Sequence, residues 1–230
     1  MAQQQTCLAS LIIPVLNEQA IIVDQLTKLQ PLRNEGFEII VVDGGSEDNT
    51  RQLASSLADK VLVTEKGRAG QMNAGAAYAR GEFLVFLHLD STLPANMVEC
   101  VDRWHVTAIA WGFFPVRLSG EHPVFRIIER AICLRSEYSR VATGDQVIFL
   151  RREFFSAQGG FAAIPLMEDV ELCKRLRKVT NPEIEKQPVI TSSRRWQENG
   201  IIRTVILMWR LRLGYFLGES PERLVKRYYR

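Results

Sequence analysis

The chain has 230 residues, of which 47% are hydrophobic and 24% charged, with 15 glycines and 9 prolines. That composition excludes fibrous, low-complexity and disordered chains, and the length supports one core that needs no disulfide or metal. A net charge of +3 is too small to indicate nucleic acid as a partner.

The N-terminus, Met1–Thr6, has no basic region ahead of an apolar run, so no signal peptide is expected. Nowhere is there a run of the about twenty apolar residues that a spanning helix needs. Four apolar runs follow: Leu8–Val15, Phe37–Asp43, Ala58–Val63 and Phe83–Asp90. Each is short and rich in β-branched or aromatic residues, as a strand buried on both faces should be. Between them, Ile21, Ile22, Leu26 and Leu29 form one helical stripe, and Leu53, Ala54 and Leu57 another. Strands alternating with short helices predict an α/β fold with a mostly parallel central sheet flanked by helices.

Beyond Asp90 the alternation weakens into a mixed second half. The pattern predicts a helix from near Pro94 to Val106, a strand over Trp111–Leu118 and a helix over Val124–Leu134. A strand over 146–150, a short helix over Arg152–Ala157, a helix opening at Glu168–Asp169 and a last strand near Val189 follow. Gly200–Leu217 reads as an amphipathic helix in a basic tail: Ser192–Arg230 holds nine Lys or Arg against three Glu, a net +6. Such a segment suits a membrane interface, a second subunit or the domain's own surface. The four cysteines are widely spaced, with no Cys-x-x-Cys pair, which fits thiols in a reducing, cytoplasmic setting. No repeat or linker is visible, so residues 1–230 are expected to be a single domain. Its halves are 8–90 and 91–199, with the basic segment 200–230 appended.

Polar clusters coincide with the carboxyl ends of the predicted strands, where open parallel sheets bind ligands. They are Pro14 with Asn17 and Glu18; Asp43 with Gly45, Ser46 and Asp48; Lys66, Arg68 and Asn73; and His88 with Asp90. Asp43 can accept bonds from a base or ribose, whereas Ser46 and Asp48 also suit a helix cap. Lys66 and Arg68 precede a helix N-terminus, a setting that favours phosphate. Asp90 is a hard oxygen donor of the kind that holds Mg²⁺ or Mn²⁺ together with substrate phosphates. His88 fits a second metal ligand, a substrate contact or a satisfied polar residue. Glu168 and Asp169 open a helix, where a carboxylate serves as a general base or as a cap. Asp145, Gln146, Arg194, Arg195 and Trp196 place further polar and cationic groups in the second half.

These residues, in this order, resemble the family 2 glycosyltransferases of the GT-A fold over about residues 8 to 200. The resemblance rests on Ile13–Glu18, Val41–Ser46, Arg68–Gly75, the strand ending at Asp90, and Gly159–Gly160 followed by Glu168–Asp169. The chain is also similar to a compact bacterial branch labelled as arsenosugar-biosynthesis-type glycosyltransferases, through Thr143–Gln146 and Ser193–Trp196. The resemblance implies a nucleotide-diphosphate sugar donor held near Pro14, Glu18 and Asp43, with Arg68 at the diphosphate. It implies Asp169 as the base of an inverting transfer, and Asp90 as the last residue of an Asp-x-Asp metal motif. His88 stands in place of that motif's first Asp, which weakens the expected Mg²⁺ or Mn²⁺ site. The acceptor is unknown. Two other readings of the same residues are a nucleotidyltransferase and a nucleotide-sugar-binding protein without activity.

Overall fold

The computed structural model describes residues 7–228, without the side chains of Arg195 and Asn199; the stretch Met1–Thr6, expected to hold no signal peptide, lies outside them. The first half runs β1 (Ala9–Val15), α1 (Ile22–Asn34), β2 (Phe37–Asp43), α2 (Thr50–Ala54), β3 (Lys60–Val63), α3 (Arg68–Tyr78) and β4 (Phe83–Phe86). Then come β5 (Ser91–Thr92), α4 (Met97–Val106), β6 (Trp111–Phe113), β7 (Val116–Leu118) and α5 (Pro123–Ser139). A 3₁₀ turn at Gly144–Gln146 leads into β8 (Ile148–Arg151), α6 (Arg152–Ala157), α7 (Glu168–Leu176), β9 (Glu183–Ile184) and β10 (Val189–Thr191). The chain closes with α8 (Arg194–Asn199), α9 (Ile201–Phe216) and α10 (Pro221–Tyr228).

The main sheet has the order β3-β2-β1-β4-β8-β6-β9. β1 pairs in parallel with β2 and β4, and β2 with β3, while β8 runs antiparallel between β4 and β6. A second sheet has the order β5-β10-β7. This is an α/β fold with a mixed second half, as the hydrophobic pattern implied. Strand residues alternate between two cores. Leu11, Ile13, Ile39, Val41 and Val85 pack with Leu26 of α1, Ala54 of α2 and Trp104 of α4. Ile12, Ile40, Val42, Leu84 and Phe86 pack with Met72 of α3, Leu172 of α7, Leu211 of α9 and Leu224 of α10. Both faces are covered, which is why these strands read as unbroken apolar runs rather than alternating ones.

Four expectations need correction. The strand expected over Phe83–Asp90 ends at Phe86, because Ser91 N–H donates to the His88 carbonyl (3.0 Å) and closes a turn. His88 and Asp90 thus lie beyond the strand, His88 half-buried and Asp90 exposed. The strand expected over Trp111–Leu118 is split between the two sheets: Pro115 separates β6 from β7 and offers no N–H to a ladder. Gln146 belongs to the 3₁₀ turn, and the strand begins at Ile148. The helix expected to end at Leu134 runs on to Ser139, and α10 was not anticipated.

The position of α3 on the sheet depends on Gly75. A Cβ there would lie 2.5 Å from Ile12 Cγ2 and 3.0 Å from Val42 Cγ2, so the helix backbone rests directly on β1 and β2. Overpacking at such a site costs about 1–3 kcal/mol. Gly75→Val is accordingly expected to lower the urea midpoint of unfolding with no change in the m-value. A midpoint equal to that of the wild type would show that α3 can lift from the sheet at no cost.

Candidate active site

The carboxyl ends of β1 and β2 form one wall of a crevice. Gln71, one turn into α3, is buried, and its amide Nε2 donates to the carbonyls of Val15 (2.9 Å) and Val42 (2.8 Å). Gly44 N–H also donates to Val15 O, at 2.9 Å. Asp43 is fully buried at the end of β2. Its Oδ1 accepts from the N–H groups of Gly45 (2.9 Å) and Ser46 (2.8 Å), which folds the loop back, with Gly45 at a φ of 90°. Arg51 lies 3.9 Å from the same oxygen. Asp43 Oδ2 is buried with no hydrogen-bond partner. An orphaned carboxylate oxygen at a strand end is what a ligand N–H or O–H would satisfy.

The Asn17–Glu18 loop is tied to the same wall. Asn17, at a φ of 55°, donates its N–H to Ser46 Oγ (2.8 Å) and accepts from Glu47 N–H (2.9 Å). Glu18 N–H donates to Thr50 Oγ1 (2.8 Å). Burial raises the pKa of the Glu18 carboxyl, Arg194 opposes that shift, and Asp90 adds to it. Arg194 and Asp90 therefore sit within electrostatic reach of this loop. Asp48, the residue before the N-cap Asn49 of α2, accepts from Thr50 N–H at 3.0 Å. Pro14 lies in β1, half-buried, in register with Val42.

Arg68, the first residue of α3, points across the crevice, and its guanidinium lies 3.8 Å from Glu168 at the start of α7. Lys66 is exposed in the preceding loop. Met167 holds a left-handed φ of 70° immediately before α7, so the chain turns sharply into Glu168 and Asp169. Asp169 is held by backbone: Gly144 N–H donates to Oδ2 (2.6 Å) and Val170 N–H to Oδ1 (2.6 Å). A small cavity is lined by Arg68, Phe86, His88, Gly144, Glu168 and Asp169 among others. A Cβ at Gly144 would lie 2.5 Å from His88 Nε2, so only glycine lets the imidazole approach.

Desolvation dominates the charges on this second wall. Burial, then the neighbouring Asp169, pushes Glu168 up to about 7 against the pull of Arg68. Burial also raises the Asp169 pKa in spite of its two backbone donors. The His88 imidazole is pushed down to about 3 by burial and by Arg68, so it is neutral at physiological pH. Behind Asp169 stand two desolvated cations. Arg135 of α5 is pushed down to about 10 by burial and by Arg212, and burial lowers the pKa of Arg212 of α9. Both interact with Asp145 and Asp169, and Arg135 Nε and Arg212 Nη1 are buried without partners.

The sequence-predicted residues thus fall into three groups. Pro14, Asn17, Glu18, Asp43, Gly45 and Arg68 line the strand ends, and Asp90 and Arg194 interact with them electrostatically. His88, Asp145, Glu168 and Asp169 make the facing wall. Asn73 and Gln146 are committed elsewhere. The Asn73 amide both donates to and accepts from the backbone of Phe161 (2.8 and 2.9 Å), so it braces the Gly159–Gly160 loop rather than facing a donor. Gln146 is fully buried and donates to Phe114 O (3.3 Å) and Ser136 Oγ (2.9 Å). Trp196 is half-buried in α8, and the Arg195 side chain lies outside the described structure. Sequence reasoning assigned no role to Gln71, Arg135 or Arg212; nothing in their spacing distinguishes them from a helix-surface amide and two snorkelling cations.

A metal would find Asp90 as its one exposed carboxylate here, with Asp145 and Glu18 within electrostatic reach. Among the described residues no three His, Cys, Asp or Glu side chains converge into a metal-binding group. A hard cation at Asp90 fits only as one bound jointly by that carboxylate and by ligand phosphates.

The family model for glycosyl transferase family 2 matches residues 10–164. The Escherichia coli UDP-Glc:alpha-D-GlcNAc-diphosphoundecaprenol beta-1,3-glucosyltransferase WfgD is 34% identical over 97 residues, 40% of this chain and 38% of that protein. The chain therefore spans well under half the length of that curated relative. Among solved structures, S. aureus TarS 1–349 in complex with UDP-GlcNAc superposes with a TM-score of 0.65 at 17% identity, over 80% of this chain and 58% of that one. The mannosyltransferase PcManGT from Pyrobaculum calidifontis, in complex with GDP-Man and Mn²⁺, gives a TM-score of 0.57 at 21% identity, over 80% and 56%. At these identities the structural likeness is one of fold.

The raised Glu168 carboxyl carries a signature in stability. A carboxyl whose folded pKa lies above its unfolded value makes a contribution that is full below about 4.5 and lost as pH rises towards about 7. Glu168→Gln, which stays neutral, should gain stability relative to the wild type as pH rises through that window. Urea midpoints of both proteins across that range test this. A constant difference between them would mean that Glu168 titrates as an ordinary carboxylate.

Proposed function

Because the chain belongs to glycosyl transferase family 2, we propose that it moves a sugar from a nucleotide-diphosphate donor to an acceptor hydroxyl, with inversion at the anomeric carbon. The observation that carries this reading is Arg68, which spans from the strand ends of the donor wall to the Glu168–Asp169 pair. The base and ribose lie against Pro14, Asn17 and Glu18, and the orphaned Asp43 Oδ2 accepts a hydrogen from one of them. The N-terminus of α3, with Lys66 and Arg68, takes the diphosphate, where unpaired N–H groups and cations favour an anion.

Asp169 is the base. Its raised pKa brings it closer to the task of accepting a hydroxyl proton, and its two backbone donors fix its direction. As the acceptor hydroxyl gives its proton to Asp169, its oxygen forms the new bond to the anomeric carbon from the face opposite the leaving group. The old bond breaks with its electron pair on the nucleoside diphosphate, whose charge Arg68 meets. Glu168 beside Arg68 holds that guanidinium across the crevice. A divalent cation bound by Asp90 and the donor phosphates would neutralise leaving-group charge. PcManGT, solved with GDP-Man and Mn²⁺, is a fold relative in which such an ion accompanies the donor. Asp145, Arg194 and Trp196 are assigned in this reading to the acceptor or the diphosphate.

Asp169→Asn keeps the side chain's size, but its single amide oxygen can accept from only one of the two backbone N–H groups and it cannot take a proton. It should lower transfer by roughly 10²–10⁴-fold while donor binding, followed by the thermal shift with a nucleotide sugar, is preserved. Wild-type turnover by that variant would remove the base assignment. Product analysis tests the reaction class: nucleoside diphosphate is expected, and pyrophosphate would indicate nucleotidyl transfer instead. Chelation followed by Mn²⁺ titration should restore activity less steeply in Asp90→Asn than in the wild type, and identical titrations would take Asp90 out of the metal site.

A further inference from the structure

α9 turns an apolar stripe outward. Ile202, Ile206, Trp209, Leu213 and Phe216 recur at spacings of four, three, four and three, which puts them on one helical face. They are 75%, 51%, 72%, 58% and 77% exposed. Thr204 and Leu211, on the opposite face, are the residues that bury α9 against the body. A helix of a soluble domain ordinarily turns its apolar stripe to the core, so this one is presented to something else.

Cations edge the stripe. Arg203 and Arg210 lie roughly 80–100° round the helix from its centre and are exposed. On the other border Arg212 turns inward to Asp145 and Asp169. α9 contains no acidic residue, and the segment from Ser192 onward carries a net +6. A second copy packed face to face with its α9 antiparallel would set the Arg203–Arg210 edge against the same edge of its partner. Anionic lipid headgroups would instead pair with the same cations, and an exposed Trp suits the headgroup level of a bilayer.

We propose that this face of α9 docks on the surface of a bilayer containing anionic lipids. Ile202, Ile206, Trp209, Leu213 and Phe216 enter the boundary between headgroups and acyl chains, while Arg203 and Arg210 pair with headgroup phosphates. No helix among the described residues is long and apolar enough to cross a membrane, so the contact lies in the plane of the interface. The inner flank of the same helix interacts with Asp169 through Arg212, so docking sets the lipid surface on the outer side of the helix that backs the acid pair. The proposal rests on this surface alone and stands apart from the sugar-transfer reading.

Flotation of the full chain with phosphatidylcholine vesicles, with and without phosphatidylglycerol, at low and high salt, tests it. The chain should float with the anionic vesicles at low salt and partition less at high salt or with phosphatidylcholine alone. Trp209→Glu combined with Leu213→Glu should abolish flotation, and Val106→Glu, at an 82% exposed apolar position on α4, should leave it intact. Arg203→Ser combined with Arg210→Ser should weaken partition roughly tenfold or more. This second pair removes only exposed charge, so it decides the matter if the Glu pair fails to fold by circular dichroism. Absence of the wild-type chain from anionic vesicles at low salt overturns the proposal. So does flotation of both variant pairs at the wild-type level, or a dimer in light scattering that the Glu pair dissociates.

Discussion

The candidate site depends on one buried amide. Gln71 joins the carbonyl of Val15, the last residue of β1, to that of Val42, the residue before the end of β2, and both strands lead there into loops that carry polar side chains. Val15 O also accepts from Gly44 N–H, so the amide adds a second bond there and one at Val42 O, and a buried hydrogen bond of this kind contributes about 0.5–1.5 kcal/mol. By meeting both, the amide fixes the first turn of α3 over the strand ends, with Gly75 letting the next turns rest on Ile12 and Val42. Arg68, one turn before Gln71, is thereby carried across the crevice to Glu168. The loop that bears Asp43 and the cation that faces it are set by the same contact.

The facing wall is held by another device. Asp169 takes backbone N–H groups from the 3₁₀ turn and from α7, so the carboxylate locks two segments twenty-five residues apart. The loop before α7 is braced from both sides: Asn73 of α3 pairs with Phe161, and Arg175 of α7 donates to Gly160 O at 2.6 Å. α9 joins this wall from outside, with Lys174 of α7 4.6 Å from the Tyr215 ring centroid and Arg212 directed at Asp169. The acids on this wall are desolvated, and so are the cations Arg135 and Arg212 behind them. Their charges act through a low-dielectric medium and are felt more strongly than at the open surface.

Much of the first half could be read from the sequence because its physics is local. β2 spans Phe37–Asp43, the whole of its apolar run, and α1 presents the stripe of Ile22, Leu26 and Leu29 to the core. Covered parallel strands leave unbroken hydrophobic runs, and their polar ends mark where the chain leaves the sheet. The second half was harder because its elements are fixed by distant partners. Nothing near Phe86 announces that β4 stops there; the turn from His88 to Ser91 does, and the apolar composition continues through it. Pro115 was visible, but that β6 and β7 join different sheets follows from where β8 and β10 lie. Asn73 and Gln146 show the limit for polar residues. An amide in a motif reads alike whether it meets a ligand or a backbone eighty-eight residues away.

His88 bears on how the crevice is charged. A carboxylate at that position would add a negative charge within electrostatic reach of Arg68. The imidazole, pushed down to about 3 by burial and by the same arginine, stays neutral and leaves the positive charge undiminished from that side. Glu168 lies 3.8 Å from Arg68, and burial together with Asp169 pushes it up to about 7, so this acid pair holds a proton more readily than exposed carboxylates do. Asp169 and Asp90 also act on Arg68, and ionisation of Glu168 adds a further negative charge beside it. Because a bound anion near Arg68 raises the cost of ionising Glu168, binding of such an anion and protonation of Glu168 favour one another by linkage. Burial of the Glu168–Asp169 pair is what makes this coupling between anion and proton arise.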